Sequence, residues 1–293
     1  MEKSLWHKYL TNPGRLRLVA VEATEVCNQM CHLHGLSGPS RLGFAEALVG
    51  SFLVASGHKG DESINLNAQG SGLIRQVVVD VTPDGKARGF LRPGSGSVTP
   101  AAASSLWGNG MVSILYTQNL ERKHPYSGMV PIQSESLDEA INEYFRVSEQ
   151  SKSRVGFKID FDGEKVNFAR GILLHALGGA ASEEIEAVEQ MPTSTLRSWA
   201  AYADRENELM QALSHQWPNR QFKEIEKKPL QTFCNCSQER IERALMLTGE
   251  KDIKEALGRD PYLSVLCDFC RKEYRVSAER IRALFSTDPS RLQ

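Results

Sequence analysis

The 293-residue sequence predicts an α+β fold: a hairpin-rich sheet domain covered by helices, then a helical linker, then a small four-cysteine domain. Three observations carry that prediction. Asp-Gly pairs stand between β-prone runs, a strong hairpin signal. No alternating βαβ series and no repeat of fixed period occurs, which argues against a doubly wound sheet or a solenoid. Four of the six cysteines fall within the last sixty residues. The chain is long for a single core, and the divisions expected are 1–177, 178–229 and 230–293.

In the first division, Arg15 to Val21 alternates as a half-buried strand does. Gln76 to Val81 and Ala87 to Leu91 flank Pro83-Asp84-Gly85, and Arg154 to Phe161 and Lys165 to Phe168 flank Asp162-Gly163, which gives two hairpins. Gly43 to Ala55 reads as a helix, as does Leu137 to Ser148, where Leu137, Ile141, Tyr144 and Phe145 share one face. Gly70-Ser71-Gly72 and Gly94-Ser95-Gly96 lack the Gly-Lys-Ser/Thr ending of a phosphate-binding loop and read as turns.

From Gly178 to Pro229 strand signals vanish, and Pro192, Pro218 and Pro229 punctuate short helix-compatible segments. Leu196, Trp199, Ala200, Ala203, Met210 and Leu213 form an apolar stripe among charged neighbours. Helices this short depend on packing for stability, so the segment reads either as a solvated connector or as one that folds conditionally.

Composition excludes several functions. Thirty-five basic and 36 acidic residues leave a formal charge of −1, giving the chain no general grip on a polyanion such as nucleic acid. Met1 to Leu10 has no apolar core of the secretory kind, and Phe44 to Ala55 is interrupted by Glu46 and too short to cross a bilayer. A cytoplasmic protein without a membrane partner is expected. There, clustered cysteines point to metal or redox chemistry more than to permanent bridges.

The cysteines are spaced Cys234-x-Cys236, thirty residues, Cys267-x-x-Cys270, and all seven histidines lie at or before His215. Two such pairs can meet around one tetrahedral Zn²⁺, so a four-thiolate zinc site is the simplest reading. The spacing leaves open a plain zinc clip or a redox switch. Eleven basic against ten acidic residues from Cys234 to Gln293 disfavour a nucleic-acid zinc ribbon. Gln238 to Leu247 and Asp252 to Leu257 read as helices between the pairs, and Tyr274 to Leu284 as a strand or turn followed by a helix. Cys27 and Cys31, with His32 and His34 beside them, form a weaker second metal candidate, against two cysteines packed in or near a helix.

Phe233-Cys-Asn-Cys-Ser237, Arg240 and Cys267-Asp-Phe-Cys270 with Tyr274 resemble the carboxyl-terminal signature of the heat-shock protein 33 family of redox-regulated holdase chaperones. His58 to Asp61, Gln69 to Gly72, Asp84 to Phe90, Pro125 to Pro131 and Tyr144 to Gln150 resemble that family's amino-terminal domain, in the same order. Where the family usually has Gln and Pro, this chain has His175 and Gly178.

The resemblance implies a reduced, inactive form with one zinc ion on Cys234, Cys236, Cys267 and Cys270. Oxidants, with heat, are then expected to join Cys234 to Cys236 and Cys267 to Cys270, release the metal, unfold the linker and produce a holdase that needs no ATP. Unfolded client proteins are the implied partners, and a homodimer the implied active form. Leu196, Trp199, Met210 and Leu213 are the candidate client-binding residues; ordinary helix packing is their other reading. No catalytic residue is expected. The competing functions are a thiol-disulfide oxidoreductase using Cys267 and Cys270, and a constitutive zinc-dependent interaction module.

Overall fold

The apolar run from Gly43 to Ala55 forms the inner part of a helix, α2 (Gly38–Ala55), that is buried on every side. A helix apolar all round needs cover all round, and two sheets supply it. The computed structural model describes residues 4–12, 14–60, 62–94, 105–117, 126–133, 136–163 and 165–286, in two compact units, Met1–Phe233 and Cys234–Gln293.

In the first unit the chain runs through β1 (Leu5–Asn12), β2 (Leu16–Glu22), α1 (Thr24–Leu33), α2, β3 (Ser63–Gln69), β4 (Ile74–Val81), β5 (Lys86–Pro93), β6 (Gly110–Thr117) and β7 (Tyr126–Ile132). It continues through α3 (Leu137–Val147), β8 (Ser153–Asp162), β9 (Lys165–Ala176), α4 (Ser182–Glu189), α5 (Thr193–Ala200), α6 (Glu206–Gln216), β10 (Gln221–Pro229) and β11 (Gln231–Thr232). One sheet has the order β10-β1-β2-β9-β8, the other β11-β5-β4-β3-β6-β7. Helix α2 packs on β2, β8 and β9 of the first and on β3, β4 and β5 of the second, and the main core, with Trp6, Phe44, Phe52 and Trp107, fills the space between.

Both expected hairpins form, β4–β5 and β8–β9. At the first, Gly85 takes φ +88°, a left-handed conformation suited to glycine, and its N–H donates to Thr82 O. Gly70-Ser71-Gly72 is the β3–β4 turn, whose amides at Ser71 and Gly72 donate to Trp107 O. Residues 95 and 96 of the second glycine-serine segment, and Pro125, lie outside the described residues.

The segment 178–229 departs from expectation in one respect. It is not free of strands: Gln221–Pro229 is β10, antiparallel to β1. The whole segment belongs to the first unit, and α4, α5 and α6 build a second core with the outward residues of β1, β2 and β9, among them Tyr9, Leu16, Leu18, Ile172 and Leu174.

The second unit contains α7 (Gln238–Thr248), α8 (Glu250–Leu257), β12 (Tyr262–Leu266), β13 (Glu273–Ser277) and α9 (Ala278–Ser286). Its buried core is Leu245, Ile253, Leu257, Val276 and Ile281.

Candidate metal and redox centre

Each cysteine pair is placed by a short local device. Ser237 caps α7, its hydroxyl accepting the Arg240 N–H at 3.3 Å, so Cys234 and Cys236 lie in the extended approach to that helix. Cys267 and Cys270 lie in the turn between β12 and β13, strands paired from Tyr262↔Ser277 to Leu266↔Glu273. The turn is closed by Cys267 N–H donating to Lys272 O and Arg271 N–H to Cys267 O, each 2.9 Å, with Arg271 at φ +58°. Beyond the site, Arg280 on α9 donates to the nearly buried Glu242 on α7 at 2.7 Å.

These devices bring the four sulfurs together. Cys234 Sγ is 3.9 Å from Cys267 Sγ, Cys236 Sγ is 3.2 Å from Cys270 Sγ, and all four lie within 4.8 Å of one another. Four sulfurs bound at ~2.3 Å around a tetrahedral ion stand ~3.8 Å apart, so the residues present fit a metal ion. The donor set, thiolate alone, suits zinc.

The four thiols are unequal. Burial pushes Cys234 up, and pushes Cys270 up to about 12. At Cys236 burial acts in the same direction, but the Tyr274 hydroxyl, 2.9 Å from its sulfur, and the neighbouring thiols outweigh it and bring the group down to about 7. Tyr274 is itself pushed up by that shared hydrogen bond. A thiolate is the form that binds metal and attacks peroxide, so the cluster contains both a sulfur poised to ionise and neighbours able to resolve it.

The candidate client-binding residues are covered. Leu196 and Leu213 are buried, Trp199 is 6% exposed and Met210 half-buried, all packed in the second core of the first unit. The closest approach is at Gly156 on β8, where an added Cβ would lie 2.6 Å from Leu196 Cβ and 2.7 Å from Arg197 N. Arginines hold the same helices. Arg197 on α5 grips the fully buried Asp138. Arg170 on β9 bonds Glu22 at 2.5 Å, Ala201 O at 2.9 Å and Asp204, and Arg220 bonds Glu184. Sequence reasoning missed these clasps, since nothing in a lone Arg marks its partner 31 to 148 residues away.

Cys27 and Cys31 lie on α1 and are buried, and burial pushes both thiols up, Cys31 to about 12. Among the described residues, the one His/Cys/Asp/Glu group able to hold a metal is the tail's cysteine cluster, so α1 is not a second metal site by this geometry. His175 sits on β9 with Nδ1 2.6 Å from Ser153 Oγ, and burial, with Arg17 nearby, lowers it to about 4. Gly178 has open space around its Cα, and its carbonyl accepts from Arg15 Nη1 at 3.4 Å.

The family described as Hsp33 protein matches residues 4–277. The 33 kDa chaperonin of Lactococcus lactis subsp. cremoris (strain MG1363) is 26% identical over 286 residues, spanning 95% of this chain and 98% of that protein. The 33 kDa chaperonin of Limosilactobacillus fermentum is 28% identical over 293 residues, spanning 96% and 98%. In fold, the chain is similar to the crystal structure of the 33 kDa chaperonin (heat shock protein 33 homolog) from Thermotoga maritima, with a TM-score of 0.75 and 22% identity over 98% of each chain.

Proposed function

The chain belongs to the Hsp33 family of chaperones, and from that premise we propose that it is a redox-regulated, ATP-independent holdase, inactive when reduced and metal-bound and activated by oxidation. The observation that carries the reading is the meeting of four sulfurs within 4.8 Å in a sixty-residue unit whose apolar cluster, among the described residues, has five buried side chains. Zinc, when bound, supplies a tetrahedral crosslink and holds the sulfurs as thiolates. Such a crosslink can contribute about 10–16 kcal/mol of apparent folding free energy in a small module, against total stabilities of about 5–15 kcal/mol for whole domains.

Oxidation removes that contribution. A thiolate attacks peroxide, giving a sulfenic acid and hydroxide; a neighbouring thiol displaces the sulfenic oxygen as water, leaving a disulfide. Each pair thus gives up two electrons to one peroxide. The pairs proposed are Cys234 with Cys236 and Cys267 with Cys270. Loops that short constrain an unfolded chain little, so the oxidised tail is not obliged to stay folded.

The chain itself links tail to segment 178–229. Cys234 follows Phe233 directly, β11 pairs with β5 through two residues, and β10 precedes it as an exposed edge strand. Helices α4 and α5 of eight residues each, and α6 of eleven, hold their place by packing and by the arginine clasps. Their release uncovers Leu196, Trp199, Met210 and Leu213, and the sheet face beneath, for unfolded clients. The active form is proposed to dimerise, and the cytoplasm to be its compartment. Among the described residues no helix is long and apolar enough to cross a membrane.

An oxidoreductase of the thioredoxin kind sets its Cys-x-x-Cys at a helix start, whereas Cys267 and Cys270 lie in a strand-to-strand turn. The test is one peroxide titration following metal release, free thiols and suppression of client aggregation together. The three are expected to change in step; aggregation suppression already complete in the reduced protein, or insulin disulfide reduction with turnover, rejects the proposal.

A further inference from the structure

Two buried carboxylates share one hydroxyl at the start of α3. Glu46 is the single acidic residue of α2, Asp138 lies in the first turn of α3, and both are buried. Ser136 Oγ stands between them, 2.9 Å from Glu46 Oε1 and 2.8 Å from Asp138 Oδ1. A hydroxyl has one proton to give. It cannot serve two ionised carboxylates, and a second anionic oxygen held against its lone pairs is repelled, so one of the two acids has to keep a proton.

The other bonds decide which. Asp138 accepts from Arg197 Nε and Nη2, each at 2.7 Å, and from the Phe157 N–H at 3.2 Å, the set of donors that an ionised carboxylate requires. Glu46 Oε2 accepts the Leu137 N–H at 3.2 Å, which leaves Oε1 to carry the proton and donate it to Ser136. Ser136 then donates to Asp138. Burial acts in the same sense and is the chief cause that raises Glu46 to about 7. The Ser136 hydroxyl can favour an ionised Glu46 only by turning away from Asp138.

We propose that the row Glu46, Ser136, Asp138 and Arg197 is a proton-dependent latch on α5: with Glu46 protonated the helix is held to the core, and loss of that proton loosens it. An ionised Glu46 sets a second buried anion beside Asp138, and Glu139 already stands 3.9 Å from Arg197 Nη2. The charged groups acting on Glu46 are Asp138 from α3, which raises it, and Arg197 from α5, which lowers it. Among the described residues Arg197 is the one cation in ion-pair range of these three carboxylates, and its Nε and Nη2 are already taken by Asp138. From β8 only the Phe157 N–H reaches the pair. Two buried anions call for water. Of the elements around them, α2, α3 and β8 contribute to the main core, whereas α5 has eight residues and depends on packing, so α5 is the cover that gives. The latch rests on the function proposed above only for what the loosened helix exposes to clients.

The test follows hydrogen exchange of the reduced, full-length chain from pH 6 to pH 8, corrected for intrinsic exchange and without oxidant. Where opening returns Glu46 from about 7 to its ordinary 4.5, protection across Thr193–Ala200 is expected to fall about tenfold over that interval. Glu46→Gln keeps a donor towards Ser136 and an acceptor for the Leu137 N–H, and is expected to hold its pH 6 protection at pH 8. Infrared spectra of the same samples are expected to show a protonated-carboxyl stretch in the parent at pH 6 that fades by pH 8 and is missing from Glu46→Gln. That band reads the proton directly, which keeps the proposal testable if Glu46→Gln folds poorly. No such band at pH 6, or the same loss of protection in Glu46→Gln as in the parent, overturns the latch. No oxidant enters this experiment, so its failure leaves the redox reading standing, and the peroxide titration can fail with the latch intact.

Discussion

Arg197 on α5 donates Nε and Nη2 to the two carboxylate oxygens of Asp138 on α3, each at 2.7 Å. Asp138 is fully buried and also accepts the Phe157 N–H of β8 at 3.2 Å, so one carboxylate ties a helix of segment 178–229 to two elements of the sheet core. Arg197→Met leaves that charge without its cation. Removing one partner of a buried pair costs about 3–5 kcal/mol; because the Arg197 side chain is 38% exposed, a loss of about 2 kcal/mol is the better figure here. The reduced variant is expected to lose hydrogen-exchange protection across Thr193–Ala200 and to suppress aggregation at lower oxidant doses than the parent.

Gly156→Ala tests the same docking without touching charge. The added methyl overlaps Leu196 Cβ and the Arg197 backbone, neither of which is the end of a flexible side chain. Overpacking of this kind costs about 1–3 kcal/mol. Reduced Gly156→Ala protein is expected to expose Trp199, read as a red-shifted emission, while Gly178→Ala, with open space around its Cα and no left-handed backbone, leaves the fluorescence unchanged.

Metal removal should act on the second unit and spare the sheet core of the first. A chelator under reducing conditions is expected to render the region after Phe233 protease-sensitive while residues 4–176 keep their strand signature in circular dichroism. Cys270→Ser should lower bound metal from one ion per chain towards none.

His175 makes a pH prediction. Its folded value of about 4 lies below its ordinary 6.5, through burial and the nearby Arg17. Between those values the unfolded chain binds the proton and the folded one does not, so stability falls as pH drops from about 6.5 to about 4, by on the order of 3 kcal/mol. His175→Gln should flatten that part of the denaturation profile. Glu46 works the opposite way: burial raises it from 4.5 to about 7 even though the Leu137 N–H and the Ser136 hydroxyl favour its ionised form. Its contribution therefore falls as pH rises from about 4.5 to about 7, and Glu46→Gln should retain stability at pH 8 relative to the parent.

The four sulfurs were legible because C-x-C and C-x-x-C are local patterns, and the two hairpins because Asp-Gly announces its own turn. Helix α2 was read from its apolar inner residues, but its start five residues earlier was hidden by Pro39, which the first helical turn tolerates. Strand β10 was missed for a physical reason. It is an exposed edge whose residues are mostly charged, and its order comes from partners on β1: His7 with Glu224 at 2.5 Å and Lys8 with Glu226 at 2.6 Å. The apolar stripe was found, but the surface it covers was not, because Leu18, Ile172 and Leu174 are brought to it by pairing β2 with β9 across some 150 residues.

Hydrogen exchange during a peroxide titration tests the central claim most directly. Protection across residues 234–286 is expected to collapse in proportion to thiols lost and metal released, followed by Thr193–Ala200, while β3 to β6 stay protected. Oxidised, metal-free protein that retains a protected, protease-resistant region from Cys234 onward would contradict it.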